Sequence, residues 1–566
     1  MARSNIKNTI STMKMLVGRK FDDEGVQAEV ARLPYETCKL PSGGVGISIM
    51  YNDAPMVVSA EHAMAMMLVK AKDTSTKANN NVNIGDAVLA VPHWFTEAQR
   101  RGVLQACEIA SLNCLKVTSE STNVALSYGI FKSAKKLFSE TEPQHVLFID
   151  IGYVGYSVTI VDFIQENMKV RACVCDGNLG GRDFDNIIIE YLAEQFEAKT
   201  KINVRGNKKA VLKLQAAAEK AKKTLSPSGV NEVNVSVECL AEDRDLAVVL
   251  KRDEFESRAA SLVARLQAPI DQCLAEAGLT KEQLAECEVV GGTSRVNLIK
   301  RTLGELLGLD PAALNYGLKT TMNADEAVAR GGALQCAMLS SRVRVKPFAI
   351  VDVLPYGINA TFDCASEEGG EKPTTVSMYA RGDEVPHKPR RLTFKNKTAD
   401  FDVTLSYDDA AKQLLPAGEN LFLSRFTVQL PADVVKAAGP NLGDVRVTWN
   451  LDKHGFVFVQ SAQLMQEVPY TPEEVAAYEA AEAAKAAEAE SKDSKEAAED
   501  KDAAEGKDSK EAAEGKDSKD SEAPAAAAAV VDVSKKRFKK TELKVLVQTN
   551  GLTAEEVKAA LELEAS

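Results

Sequence analysis

VLFIDIGYVGYSV, residues 146–158, decides how the remainder of the chain is read. Its opening VLFI is a short unbroken apolar run, the pattern of a sheet strand covered on both faces. At the strand's end Asp150 meets Gly152 and Gly155, a tight turn whose backbone N–H groups can cradle phosphate. The carboxylate there suits holding hydrated magnesium or orienting an attacking water. Taken alone, a β-hairpin with Gly152 at the bend is the simpler reading.

To the N-terminal side, AVLAVP (residues 87–92) reads as another such strand, and helical periodicity follows at residues 96–109 and 124–132. Residues 88–163 thus give strand, helix, helix-like run and strand, the alternation of an α/β unit. To the C-terminal side, residues 183–200, 208–225 and 253–277 read as three long amphipathic helices. EVVGGTSR (residues 288–295) then returns as a strand meeting a glycine turn. Past Arg342 the pattern changes to apolar and polar alternation, as in RRLTFKN, DFDVTLSY and VRVTWNL, which reads as a β-sandwich. From residue 473 the chain is almost entirely Ala, Glu, Lys, Asp and Ser, with KDSKEAAE at Lys492 and again at Lys507, the composition of a solvated tether. Residues 535–566 regain periodic Leu and Val around Asn550 and Gly551 and read as two short helices.

The expected units are therefore an α/β domain over residues 1–340, a β-sandwich over 345–470, an acidic linker over 473–530 and a helical segment over 535–566. The whole chain of 566 residues is longer than one hydrophobic core usually sustains. Its 69 Lys and Arg against 81 Asp and Glu leave a net charge of −12, which argues against a nucleic-acid partner. No apolar run approaches the roughly 20 residues a spanning helix needs, so no membrane partner is expected. Ten cysteines, with no paired spacing beyond Cys173 and Cys175, read as buried apolar residues of a reducing compartment. Residues 1–12 are polar, unlike a secretory signal, and the expected compartment is the cytosol, with the nucleus second.

Several side chains carry candidate chemistry. Gly180 and Gly181 open a helix with Asp183 in its first turn and would let backbone approach a phosphate, or simply mark a helix entry. Glu219, Lys222, Lys223 and Ser226 share one helix face that could grip a purine or ribose edge; a solvated charged face is the bland alternative. Gly291 and Gly292 precede Thr293, Ser294 and Arg295, a turn open enough for a flat ring, on which Arg295 could stack. Two glycine turns, each after a strand, are individually weak and jointly suggest a bilobed phosphate-binding fold.

In that order the words SNIKNT, VPHWFTEAQR, ALSYGIFK, FIDIGYVGYSV, GGRDFD, AAEKAKKTLS, VVGGTSR and NADEAVARGGAL closely resemble the seventy-kilodalton heat-shock chaperone superfamily. Within it, RVRVKPFAIVDVLPYGI and the acidic stretch resemble the hundred-and-ten-kilodalton nucleotide-exchange branch. The resemblance implies an actin-like, ribonuclease H-like ATPase domain followed by the β-sandwich. It implies ATP or ADP with magnesium as cofactors. It matches Asp150 and Gly152 to the second phosphate loop, Glu120 to a magnesium-side acid and Lys14 to a lysine near the γ-phosphate. Asp150 and Glu120 would hold the metal through water. Gly180 and Gly181 match the glycine pair, and Glu219, Lys222, Lys223, Ser226, Gly292, Thr293, Arg295 and Asp325 match the adenosine pocket.

Three departures qualify this inheritance. The family's first phosphate loop should precede SNIKNT and is not in this sequence. The second loop carries Tyr153, Val154 and Gly155 where hydrolysing members have a glycine pair and a threonine, and Ser157 where they have an acid. The helical lid is cut to residues 535–566. The resemblance thus implies a chaperone or co-chaperone that binds ATP with at most weak turnover, exchanges nucleotide on a conventional seventy-kilodalton chaperone and holds unfolded polypeptide. The alternatives are a holdase that ignores nucleotide, and an actin-fold ATPase or sugar kinase using Asp150 as base.

Overall fold

The computed structural model describes residues 5–365, 371–395, 397–438, 443–480 and 536–565. The strand Gln144–Ile151 lies inside a six-stranded sheet, antiparallel to Tyr156–Ile164 and parallel to Glu286–Val290. Its lack of polar alternation has a direct cause. Leu147, Ile149 and Ile151 point into one core cluster, while Val146 and Phe148 point into another on the opposite face. The first cluster is closed by the helices Gly181–Thr200 and Lys208–Leu225, whose Phe184, Ile188, Leu192, Phe196, Leu214 and Leu225 are buried there.

A second, smaller α/β layer precedes this sheet. Asp86–Val91 runs parallel to Asn113–Ser119, joined by the helix Glu97–Ile109, and the helix Glu120–Ala134 leads onward. The helical periodicity read at residues 124–132 falls within the helix Glu120–Ala134, while the strand Asn113–Ser119 before it has no counterpart in the sequence reading. NCLKVTS buries only its last residues fully, so it lacks the apolar run that marks a covered strand. The single long helix expected over residues 253–277 is two, Arg252–Ala264 and Gln267–Ala277. Pro269 explains the break, because its ring has no N–H to donate and crowds the carbonyl four residues earlier, that of Arg265.

Beyond residue 357 two sheets face one another. One is ordered Glu371–Tyr379, Ile358–Ala365, Phe401–Tyr407, Phe422–Val428, Val545–Thr549; the other is Arg390–Phe394, Asp444–Leu451, Val457–Glu467, Phe538–Glu542. They share one core, in which Trp449 stands edge-on to Phe426 at 4.7 Å between ring centroids. The two helices expected at residues 535–566 are replaced by the strands Phe538–Glu542 and Val545–Thr549 and one helix, Ala554–Ala565. VLVQT is short and β-branched, and each strand adds to an edge that the sandwich already offers. Residues 472–480 are helical, and the remainder of the expected acidic linker, from residue 481 to 530, lies outside the described residues.

The sequence boundary at residues 340–345 is crossed by pairing. Ala349–Val353 hydrogen-bonds in parallel to Asn167–Asp176 and becomes the fifth strand of the first sheet, with Glu384–Val385 as the sixth. The sandwich is also bonded to the smaller layer: the Glu97 N–H donates to the Tyr407 hydroxyl at 2.8 Å, and the Tyr356 hydroxyl donates to the Trp94 carbonyl at 2.7 Å. No described helix is long and apolar enough to cross a membrane.

Candidate nucleotide site

Asp150 is the penultimate residue of its strand, and the turn that follows Ile151 behaves both as a hairpin and as a loop with inward hydrogen bonds. The Gly152 N–H donates to the Gly155 carbonyl at 3.0 Å. The Gly181 N–H donates to the Gly152 carbonyl at 3.0 Å, the Arg182 N–H to the Tyr153 carbonyl at 2.9 Å and the Thr293 hydroxyl to the Gly152 carbonyl at 2.8 Å. Three turns far apart in sequence, at 152–155, 180–182 and 291–295, are thereby stitched together. Glycine is required at the seams. A Cβ at Gly181 would stand 2.5 Å from Thr293 Oγ1, and one at Gly291, whose φ is +84°, would collide with the Ile151 carbonyl.

The charged groups divide into two sets. At the first, Lys14 Nζ bonds Glu120 Oε1 at 2.6 Å, and both charges act on Asp150. Loss of hydration raises the Asp150 carboxyl most, the Glu120 carboxylate raises it further and the Lys14 ammonium opposes both, so that together they push it up to about 7. At the second, Lys222 is buried, bonding Asp185 at 2.8 Å and the Gly181 carbonyl at 2.8 Å. Burial raises the Asp185 carboxyl, and the Lys222 ammonium counters it.

A cavity of about 1110 Å³ opens on this second set, lined by Glu219, Lys222, Lys223, Ser226, Gly292, Thr293, Arg295 and Asp325. All eight residues assigned to one pocket from sequence line this one space. Lys223 pairs with Glu219 at 2.6 Å, and Arg295 with Asp325 at 2.6 Å, which holds the Asp325 carboxyl below its ordinary range. Gly180 and Gly181 sit behind the wall rather than on it, Gly180 donating its N–H to Asp183 at 2.9 Å. Asp150, Gly152, Glu120 and Lys14 do not line this cavity; they form the separate acidic and basic group around the strand end.

Sequence reasoning missed the cavity's other residues. Tyr153 lines it, 44% exposed, with its hydroxyl accepting from Gln215 at 3.2 Å. Asn297, Lys300 and the loop from Ala312 to Tyr316 form a further part of the wall. Only Tyr153 had a sequence signal, as an aromatic where the motif expects glycine. Among the described residues no group of three or more His, Cys, Asp or Glu side chains stands ready to hold a metal.

An α/β unit whose glycine seams adjoin a cavity of about 1110 Å³, followed by a β-sandwich, narrows the class, and comparison with known proteins gives the family. A family profile described as Hsp70 protein matches residues 1–565, and the chain belongs to that family. It is 34% identical over 464 residues to heat shock 70 kDa protein 4L of Homo sapiens, covering 82% of this chain and 53% of that one. It is 35% identical over 473 residues to the 97 kDa heat shock protein of Strongylocentrotus purpuratus, covering 84% and 51%. Heat shock 70 kDa protein 4 of Canis lupus familiaris matches at 34% over 471 residues, covering 83% and 54%. The chain spans about half the length of the curated relatives it matches.

Proposed function

We propose that this chain is a cytosolic, ATP-binding co-chaperone that speeds nucleotide exchange on a conventional seventy-kilodalton heat-shock chaperone and holds unfolded polypeptide on its sandwich. The observation that carries the nucleotide part is the convergence of Glu219, Lys222, Lys223, Ser226, Gly292, Thr293, Arg295 and Asp325 on one cavity. In this reading residues 1–340 are an actin-like ATPase-type domain, residues 345–470 its client-holding partner, and the cavity takes the adenosine. Asp150 and Glu120 face the phosphate end. Among the described residues no cluster of protein ligands stands ready, and in this reading Asp150 and Glu120 would hold a magnesium ion through its water shell, which suits its reluctance to dehydrate.

Turnover is not part of the proposal. Tyr153 stands in the phosphate turn, and the neighbouring N–H groups of Gly152, Gly181 and Arg182 are spent on carbonyls of the same turns. A bound nucleotide then acts as a structural ligand, stabilising the state that binds it. The sheet that carries Asp150 also contains the connecting strand Ala349–Val353, which favours communication between the cavity and the sandwich.

The test is release of a fluorescent ADP from a conventional seventy-kilodalton chaperone, with and without this chain. Faster release, with no phosphate liberated by the chain alone, is expected. Steady phosphate release by the isolated chain defeats the exchange reading in favour of an ATPase. The occupied N–H groups also favour a second reading, client holding without nucleotide. That reading predicts aggregation suppression that ATP leaves unchanged.

A further inference from the structure

Resting on the nucleotide reading above, we infer that the loop of residues 312–316 is the base-side wall of the cavity, with Leu314 its specificity-determining residue for a planar purine ring. The residues of the adenosine assignment account for only part of the lining; Asn297, Lys300 and Ala312 to Tyr316 form another part and have no role in that assignment.

The loop is built at a cost and pinned in place. Asn315 and Tyr316 are consecutive left-handed residues, with φ of 52° and 59°, and Gly317 follows at 82°. A bulky side chain such as tyrosine seldom adopts that backbone. Four contacts hold it. The Tyr316 N–H donates to the Ala313 carbonyl at 3.0 Å, and its hydroxyl donates to Asn297 Oδ1 at 3.1 Å. Lys300 Nζ donates to Asn315 Oδ1 at 3.2 Å, and Asn315 Nδ2 to Thr320 Oγ1 at 3.2 Å. Tyr316 also packs on the helix Asn297–Leu307 so closely that a Cβ at Gly304 would lie 2.7 Å from its own Cβ.

With so much fixed, the residue left in the open is Leu314, 88% exposed beside Ala312 and Ala313 on the cavity wall. Holding a leucine in water contributes nothing to folding, whereas a ring entering the cavity would cover it. Arg295 faces the same space, its guanidinium edge committed to Asp325, which leaves its flat face for stacking. An apolar side chain beside a guanidinium whose donor edge is already taken by Asp325 suits a flat heterocycle better than a phosphate, which would need that edge. Strain of this kind is commonly stored where a ligand is clamped.

The experiment is calorimetric titration of the full chain with adenosine, ADP and ATP. Leu314→Ser is expected to weaken all three by one common factor, about tenfold, the worth of covering most of a leucine. Leu314→Met, which restores apolar area, stays within about twofold of the original. A loss confined to ADP and ATP, with adenosine unchanged, overturns the inference, because the loop would then read phosphate. Unchanged binding by Leu314→Ser, while Gly292→Trp abolishes it, also overturns it and leaves the site assignment standing. Absence of binding by the unaltered chain is a distinct result: it removes the nucleotide reading, and this inference with it.

Discussion

Asp150 stores a pH dependence that can be worked out in sign. Its carboxyl titrates near 7 in the fold against an ordinary value of 3.8, so the folded chain holds a proton that the unfolded chain has released between those limits. Stability therefore falls as pH rises from about 4 to 7 and is flat above, the reverse of a salt-bridged aspartate. Asp150→Asn removes that cost. Denaturant titration at pH 8 should find the variant more stable by about 1–2 kcal/mol, discounted for cleft water, and near parity at pH 4. A variant weaker at both pH values would mean that Asp150 is paired rather than desolvated. Gly181→Ala tests the seam from the other side. The added methyl meets Thr293 Oγ1 and lies 3.1 Å from Lys222 Nζ, displacing a buried cation that already holds Asp185. The expected outcome is a loss of about 1–3 kcal/mol in stability together with weaker binding of adenine nucleotides; unchanged affinity would detach the glycine pair from the site.

The strand before Asp150 was legible because both its faces are covered, and VLFI has no polar residue to confuse the pattern. The glycine turns were legible because only glycine fits where Gly291 and Gly181 stand. Other elements were not. NCLKVTS hides a strand behind mixed polarity, and Ala349–Val353 gives no local sign that its partner is Asn167–Asp176, a choice made by long-range pairing. Leu314 was invisible for a related reason, since nothing local marks a leucine that the fold leaves exposed. The terminal strands show what such misreading conceals. Phe538–Glu542 pairs with Val457–Glu467 and Val545–Thr549 with Phe422–Val428, one strand for each sheet, and Leu543 between them enters the shared core. A chain ending at residue 535 should expose two long sheet edges and part of that core. Expected are binding of a hydrophobic dye and loss of cooperative unfolding in the sandwich, read by near-ultraviolet dichroism at Trp449, which lies within it. Full cooperativity in the shortened chain would show the strands to be dispensable.

Across the entire chain the question is whether the α/β unit and the sandwich act as one body. Three of the links that join them bear on this. The connecting strand Ala349–Val353 is built into the sheet of Asp150. Arg19, buried, bonds the Ala417 carbonyl at 3.0 Å and Glu419 at 2.9 Å. Tyr407, buried in the sandwich, accepts the Glu97 N–H at the start of the helix Glu97–Ile109. The helix's own hydrogen bonds cannot use that first N–H, so Tyr407 satisfies a donor that would otherwise be buried without a partner. Tyr407→Phe keeps the ring, and with it the packing against Tyr356 at 5.2 Å, and deletes only the acceptor. An unsatisfied buried N–H costs about 1–3 kcal/mol, and the cost falls on the docked arrangement alone, because parted units return the N–H to water. Scanning calorimetry should therefore resolve one unfolding transition in the native chain into two in the variant, with the α/β transition little moved. Small-angle scattering should show a larger radius of gyration over the same range. A single transition at the original temperature would place the coupling in the other links, and the next substitutions would belong at Arg19, bonded to Glu419, and at Val351, paired to Lys169 in the sheet.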